Sequence, residues 1–268
     1  APPGAAGMSA RAAAAPPARP GPGTRHRRPR RAGARRVAWR LAALLAGLLA
    51  VLPAPAAACR LALALALDIS GSVNAREYGI QLGGLAAALR SPDVREALLS
   101  QAGQVRLAAY DWSGAGRQTL IFDWTTVATP ADVAALARRL ETHARPYATG
   151  STALGEALAY GARLLARAGP CERRVIDVSG DGVQNEGRPP AEIRASGALD
   201  GVTVNALVIH GAHPPPAPYY RRQVIQGPGA FMMIARNGFE DYPELIRGKL
   251  LREIRPPMLL GGAPPAAG

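Results

Sequence analysis

Only two cysteines and one lysine occur in the 268 residues, and residues 1–58 hold no acidic side chain. No segment repeats at a fixed period, which excludes a solenoid or propeller. The apolar run at 41–52 has 12 residues, short of the ~20 that span a bilayer as a helix. Enzyme signatures are missing as well. No G-x-S-x-G nucleophile elbow is present, and no Asp-x-Asp pair follows the first strand-like run, which weighs against a hydrolase. The single lysine, Lys249, amid many arginines carries no functional reading.

What is there begins with charge. The net charge of +13 suggests nucleic acid at first sight, but ten of the 32 basic residues lie in residues 1–58. Residues 59–268 hold the other 22 against 19 acidic side chains, a net of +3. The basicity belongs to the leader, so no nucleic-acid partner is expected. Much of the 48% hydrophobic content is alanine. Runs of Leu, Val and Ile between about 61 and 254 still supply one sizeable core.

Residues 1–58 divide into Ala/Pro/Gly/Arg low complexity, an Arg-rich stretch at 25–40, the apolar run, and Pro53-Ala54-Pro55-Ala56-Ala57-Ala58 before Cys59. That charged, apolar, small-residue order is a secretory signal peptide. It predicts a mature chain beginning between Ala57 and Cys59, exported to the periplasm or beyond. Membrane attachment is expected only through the leader or a lipid on Cys59. Arg35-Arg36 matches a twin-arginine signal poorly, and Ala56 stands where a lipoprotein signal has Leu.

Residues 59–255 read as one domain, and the Pro/Gly/Ala-rich 256–268 as a tail. Strand-like runs fall at 61–67, 105–110, 119–122, 175–178, 202–209 and, more weakly, 231–234. Helical spacing covers 74–90, 152–168 and 239–254. A further helix opens at Thr129-Pro130-Ala131-Asp132, where Thr129 caps, Pro130 takes the first position and Asp132 closes a capping box. Alternating strands and helices predict an α/β fold, doubly wound, with a mostly parallel sheet flanked by helices. The adjacent pair at 105–122 predicts one antiparallel edge strand.

Ligands of such sheets gather where loops leave the carboxyl ends of the strands. Three loops rich in oxygen ligands sit there: Asp68-Ile69-Ser70-Gly71-Ser72, Gly150-Ser151-Thr152 and Asp181-Gly182. Two carboxylates and three hydroxyls, with no thiol or imidazole, suit a hard divalent cation, Mg²⁺ first and Ca²⁺ or Mn²⁺ next. So few carboxylates leave water on the metal and a position open to an outside ligand. Each element alone has a plainer use: Asp68 and Ser70, or Thr152, as helix caps, and Asp181-Gly182 as a turn.

Asp68-x-Ser70-x-Ser72, then Thr152 within Gly150-Ser151-Thr152-Ala153-Leu154-Gly155, then Asp181-Gly182, resembles the metal-ion-dependent adhesion site of von Willebrand factor type A domains. The resemblance spans about 60–254, and the wider sequence resembles an uncharacterised bacterial subfamily of exported A-like proteins. It implies that Ser70, Ser72 and Thr152 touch the metal and that Asp68 and Asp181 act mainly through water. It also implies that a protein partner offers a carboxylate to the open position. Ser179-Gly180 before Asp181 departs from the hydrophobic residue and Thr of many A domains.

In the sheet of such domains the strands carrying the two aspartates are neighbours. Cys59 precedes Asp68 by nine residues and Cys171 precedes Asp181 by ten. The resemblance therefore implies a Cys59–Cys171 disulfide at the opposite end of the sheet from the metal. Two free buried thiols and lipidation of Cys59 are the alternatives. His210 and His213 read as loop residues beside Pro214-Pro215-Pro216, with a general-base or second-metal role as the enzymatic alternative. Tyr219, Tyr220, Arg221 and Arg222 form either a contact surface beside the site or an ordinary helix start. Trp112 and Trp124 end strands and read as packing residues. The expected function is a non-enzymatic, exported binding module; a metal-assisted hydrolase using the same site is the alternative.

Overall fold

Strand β1 (Cys59–Asp68) alternates leucine and alanine and is buried along its whole length. Successive side chains of a strand point to opposite faces. Leu61, Leu63, Leu65 and Leu67 therefore join one core, and Ala62, Ala64 and Ala66 the other. A strand buried on both faces belongs in the middle of a sheet, and β1 is there. The computed structural model describes residues 58–100, 102–211 and 213–255. The leader up to residue 57 and the tail from 256 lie outside them.

The other strands are β2 (Gln104–Trp112), β3 (Gln118–Val127), β4 (Arg173–Gly180), β5 (Thr203–Ile209) and β6 (Met232–Ala235). Their spatial order is β3-β2-β1-β4-β5-β6. Every pairing is parallel except β2 with β3, so the antiparallel edge strand is as expected. β3 runs five residues past the expected 122, which places Trp124 inside the strand rather than at its end.

The helices are α1 (Ala75–Arg90), α2 (Pro92–Leu99), α3 (Pro130–Thr142), α4 (Leu154–Ala166), α5 (Pro190–Ala195), α6 (Ala217–Tyr219) and α7 (Tyr242–Ile254). α6 continues as a π turn, Tyr220–Val224. Apolar side chains of α1, α2, α3 and α7 cover the leucine face of β1, and those of α4, α5 and the α6 turn cover the alanine face. Thr129 and Asp132 form the expected capping box at α3. α1 ends at Arg90, at the bound expected, and Pro92 starts α2, because a missing N–H costs nothing at a first helical position. Among the described residues, no helix is long and apolar enough to cross a membrane.

At the amino end of the sheet, Cys59 and Cys171 form a disulfide with Cα atoms 4.6 Å apart. Neither free thiols nor a lipidated Cys59 agrees with this bond. It joins the first residue of β1 to the approach to β4, a β1 length of about 30 Å from the Asp68 end.

Candidate metal centre

The strand order reverses between β1 and β4, so the loops leaving these two strands diverge and open a crevice at their carboxyl ends. Asp68 is the last residue of β1, and Asp181 directly follows β4. The backbone N–H of Ser70 donates to Asp68 Oδ1 at 2.7 Å. The Ser70 and Ser72 hydroxyls are 3.1 Å apart, and Ser72 Oγ donates to Asp181 Oδ1 at 2.7 Å. One chain of contacts thus runs from the first carboxylate to the second.

The middle loop is brought in by its backbone. Gly71 N–H donates to Gly150 O at 2.7 Å, and a Cβ on Gly71 would press on that oxygen at 3.1 Å. Ser113, just past β2, donates through its hydroxyl to Ser151 O at 3.1 Å and accepts Ala153 N–H at 2.9 Å. Thr152 exchanges hydrogen bonds with Asn185: its N–H donates to Asn185 Oδ1 at 2.8 Å, and its carbonyl accepts Asn185 N–H at 2.9 Å. Thr152 Oγ1 lies 3.2 Å from where a Cβ on Gly182 would sit. The structure therefore brings together all five residues named from the sequence.

The plainer uses do not account for them. The cap of α1 is Asn74, which accepts from Arg76 and Glu77 N–H while Glu77 returns a bond to Asn74 N–H. Ala153 precedes α4 and offers no capping side chain; the first turn is met instead by Gln184, whose Oε1 accepts Gly155 N–H at 3.0 Å. Asp68, Ser70 and Thr152 are left for another task, although Asp68, Ser70, Thr152 and Asp181 are all buried.

Tyr220, read from the sequence as a contact surface beside the site or a helix start, is instead buried next to the site. It is fully buried, and its hydroxyl lies with Asp68 Oδ2 over the Cα of Gly180. A Cβ there would come within 3.0 Å of Asp68 Oδ2 and closer still to the tyrosine oxygen, so glycine is the residue that lets them approach. The Ser179-Gly180 departure noted in the sequence thus has a local use. Asp68 Oδ2 and the Tyr220 hydroxyl are both buried without a hydrogen-bond partner. A buried carboxylate oxygen with no donor is costly unless a cation faces it. This observation, with the all-oxygen donor set, fits a hard divalent metal.

Burial pushes the Asp68 carboxyl up to about 7, with the Asp181 charge adding to it. Asp181 is also raised, first by burial, with Ser72 opposing and Glu77 adding to the rise. Below the ordinary carboxylate range Asp68 is protonated in folded and unfolded chains alike and contributes nothing. Between that range and about 7 the unfolded chain ionises and the folded one does not. The metal-free fold therefore loses stability as pH rises through this window, and the loss is complete above it. Denaturant midpoints of metal-free protein at pH about 5 and about 8 should fall with pH in the wild type and fall less in Asp68→Asn. Equal pH dependence in the two proteins would refute this.

A second buried network supports the first loop. Gln81 donates to Asp68 O at 2.9 Å, and Arg145 donates to Ile69 O at 3.0 Å and Ser70 O at 3.2 Å. Tyr78 donates to Asp111 Oδ1 at 2.9 Å, and His143 Nε2 meets Asp111 Oδ2 at 2.7 Å. Tyr78 falls within the helix read at 74–90, but nothing in the sequence places Asp111 beside it or Arg145 beneath the loop.

Beside Ser72 and Asp181 opens a cleft of about 540 Å³ whose lining includes Arg76, Glu77, His210 and Arg236. His210, read as a plain loop residue, stands at this cleft. Among the described residues no group of three or more His, Cys, Asp or Glu could hold a metal. The candidate centre has only two carboxylates and relies on hydroxyls for the rest.

The family described as "Protein of unknown function (DUF1194)" matches residues 58–258. No curated protein sequence matches the chain. Its fold is similar to that of proximal thread matrix protein 1 from the mussel byssus, at 17% identity and a TM-score of 0.53, over 74% of this chain and 47% of that one. It is also similar to a von Willebrand factor type A protein from Catenulispora acidiphila, at 16% identity and a TM-score of 0.52, over 73% of this chain and 43% of that one. A further structure of the mussel protein, described as having a zinc-occupied MIDAS motif, matches at 18% identity with a TM-score of 0.50, over 74% and 46% of the two chains. The chain spans less than half the length of each of these proteins. The likeness shows a von Willebrand factor A-like fold.

Proposed function

Since the chain belongs to the family described as "Protein of unknown function (DUF1194)" and has a von Willebrand factor A-like fold, we propose that it is an exported module that binds a protein partner through a divalent cation. The observation that carries this reading is the convergence of Asp68, Ser70, Ser72, Thr152 and Asp181 around a buried, partnerless carboxylate oxygen. Ser70, Ser72 and Thr152 would hold the cation by their hydroxyls, with Asp68 and Asp181 balancing its charge mainly through water. When bound, the cation, Mg²⁺ by donor chemistry, supplies an electrophilic position for an acidic group of the partner. The zinc described for the mussel protein supports a divalent ion at such a motif.

The chain's own residues shape what can approach. Arg76 and Arg236 bring positive charge to the cleft, although Arg76 is paired with Glu240 at 2.6 Å. Glu77, Asp181 and Glu240 line the same cleft, so the attraction for a carboxylate-bearing surface would come from the cation and Arg236. The disulfide supports an oxidising compartment outside the cytoplasm, as the leader implies. A pull-down from envelope extract tests the reading: a partner retained in Mg²⁺, released by chelator and not captured by Asp68→Ala supports it. Retention indifferent to chelator counts against it.

The second reading, a metal-assisted hydrolase, rests on His210 standing at the cleft beside Ser72 and Asp181. Turnover of an ester or phosphoester panel that disappears in Asp68→Ala would put it in place of the binding module.

A further inference from the structure

The chain's single lysine is fully buried. Asp177 lies within β4, on the face covered by α7, beside Asn205 of β5 in register. α7 brings Lys249 and Glu253 to it, one helical turn apart. Lys249 is 0% exposed, Asp177 and Glu253 1%, and Asn205 3%. Lys249 Nζ lies 2.5 Å from Asp177 Oδ1 and 2.6 Å from Glu253 Oε1. Asn205 donates its amide to the same Glu253 oxygen at 2.8 Å, and the Phe231 ring is 5.2 Å from Nζ.

This is a poor salt bridge. Two carboxylates share one ammonium away from water, where desolvation can exceed the attraction of the charges. Neither Asp177 oxygen takes part in a hydrogen bond, although Nζ is at contact distance. The nitrogen stands against the carboxyl group but off the direction a hydrogen-bonded ion pair uses. Burial, with the Asp177 charge second, raises the Glu253 carboxyl to about 8, so a proton is on hand at neutral pH.

We propose that Lys249 and Asp177 are joined by an intramolecular isopeptide bond, with Glu253 moving the protons. In a dry pocket one proton moves from the Lys249 ammonium by way of Glu253, whose Oε1 accepts Nζ–H at 2.6 Å, to Asp177, and the pair becomes amine and acid, which removes two buried charges. Lys249 Nζ then attacks Asp177 Cγ. A C–N bond forms, and one Cγ–O bond breaks. Glu253 accepts the proton from nitrogen and returns one to the departing oxygen, which leaves as water. Ammonium plus carboxylate gives amide plus water, Glu253 ends as it began, and no oxidant or cofactor is needed. Holding the two groups in contact supplies the proximity that the uncatalysed reaction lacks. Asn205 is not the acceptor, because its oxygen already takes Phe231 N–H at 3.0 Å and its nitrogen is held by Glu253.

The bond would tie the last helix of the domain to β4, as the disulfide ties the first strand to the approach to β4. Both ends of the described domain would then be anchored to one central strand, which suits a module that is pulled through its partner.

Mass spectrometry of the reduced full chain decides the matter. Trypsin should leave residues 175–194 linked to residues 248–252, lighter than the two peptides together by one water and uncut after Lys249. Glu253→Gln should return residues 175–194 unlinked and at full mass, with cleavage after Lys249 giving 248–249 and 250–252. Unlinked peptides in the wild type, with cleavage after Lys249, would overturn the proposal whether or not the variant folds. So would a water loss that persists in Lys249→Met.

Discussion

Millimolar Mg²⁺ should raise the melting temperature of the wild-type protein and give a measurable heat of binding, and Asp68→Ala or Asp181→Ala should abolish both. A ligand that binds only the folded state at a hundred times its Kd adds about 2.7 kcal/mol. In a domain of this size each kcal/mol moves Tm by roughly 2–4 °C. Asp68 is the last residue of β1 and Asp181 directly follows β4, and neither belongs to the two apolar cores, so their removal spares those cores. Removing one leaves a bound cation under-neutralised. It also relieves two buried carboxylates that raise each other's cost in the metal-free state. The metal-free variants should therefore melt no lower than metal-free wild type. A capping role for Asp68 predicts the opposite pattern, a loss of about 1 kcal/mol and no response to metal in either protein. The presence of Asn74 at that cap argues against it. Calorimetric titration with Mg²⁺, Mn²⁺ and Ca²⁺ beside thermal melts reads the difference. Wild type without heat or shift at millimolar metal would remove the mechanism proposed for partner binding.

Reduction of the Cys59–Cys171 disulfide should cause the largest loss of stability. The bond closes a loop with a sequence separation of 112 residues. Chain-entropy reasoning for a loop of that length gives about 4–5 kcal/mol as an upper figure, since residual structure in the unfolded chain reduces it. The corresponding drop in Tm is on the order of 10 °C. Cys59→Ser/Cys171→Ser should show the same drop and lose all response to reductant, while metal binding in the folded state persists, because the bond sits at the far end of β1 from Asp68. An unchanged Tm on reduction, or two thiols that alkylate without reductant, would defeat the expectation.

Much of the candidate site could be read because its residues lie at the ends of recognisable elements. The run before Asp68 and the Asp181-Gly182 turn after β4 are local features, and the order of the three loops along the chain is enough to suggest that they meet. Tyr220 could not be placed in this way. It lies in a π turn some forty residues beyond Asp181, and its hydroxyl shares with Asp68 Oδ2 the space that a side chain on Gly180 would fill. His210 and Arg236 likewise reach the cleft through the packing of β5 and β6, not through spacing. The helix α2 went unread because Ser91-Pro92 is both a stop and a start, and eight residues are too few for a clear apolar period.

The sequence by itself determined the sheet, its one antiparallel edge, the cap of α3 and the three oxygen-rich loops of the candidate site. These depend on alternation, turn chemistry and capping, all of which act over a few neighbouring residues. Only the tertiary structure decided that Asp68 Oδ2 is buried without a partner, that Gln81 and Arg145 support the first loop, and that Lys249 meets Asp177 and Glu253 inside the core. Asp177 and Lys249 are 72 positions apart, and each would pass for a solvated charge in its own neighbourhood. Their contact exists because a central strand and the closing helix pack on the same face, which neither segment specifies alone.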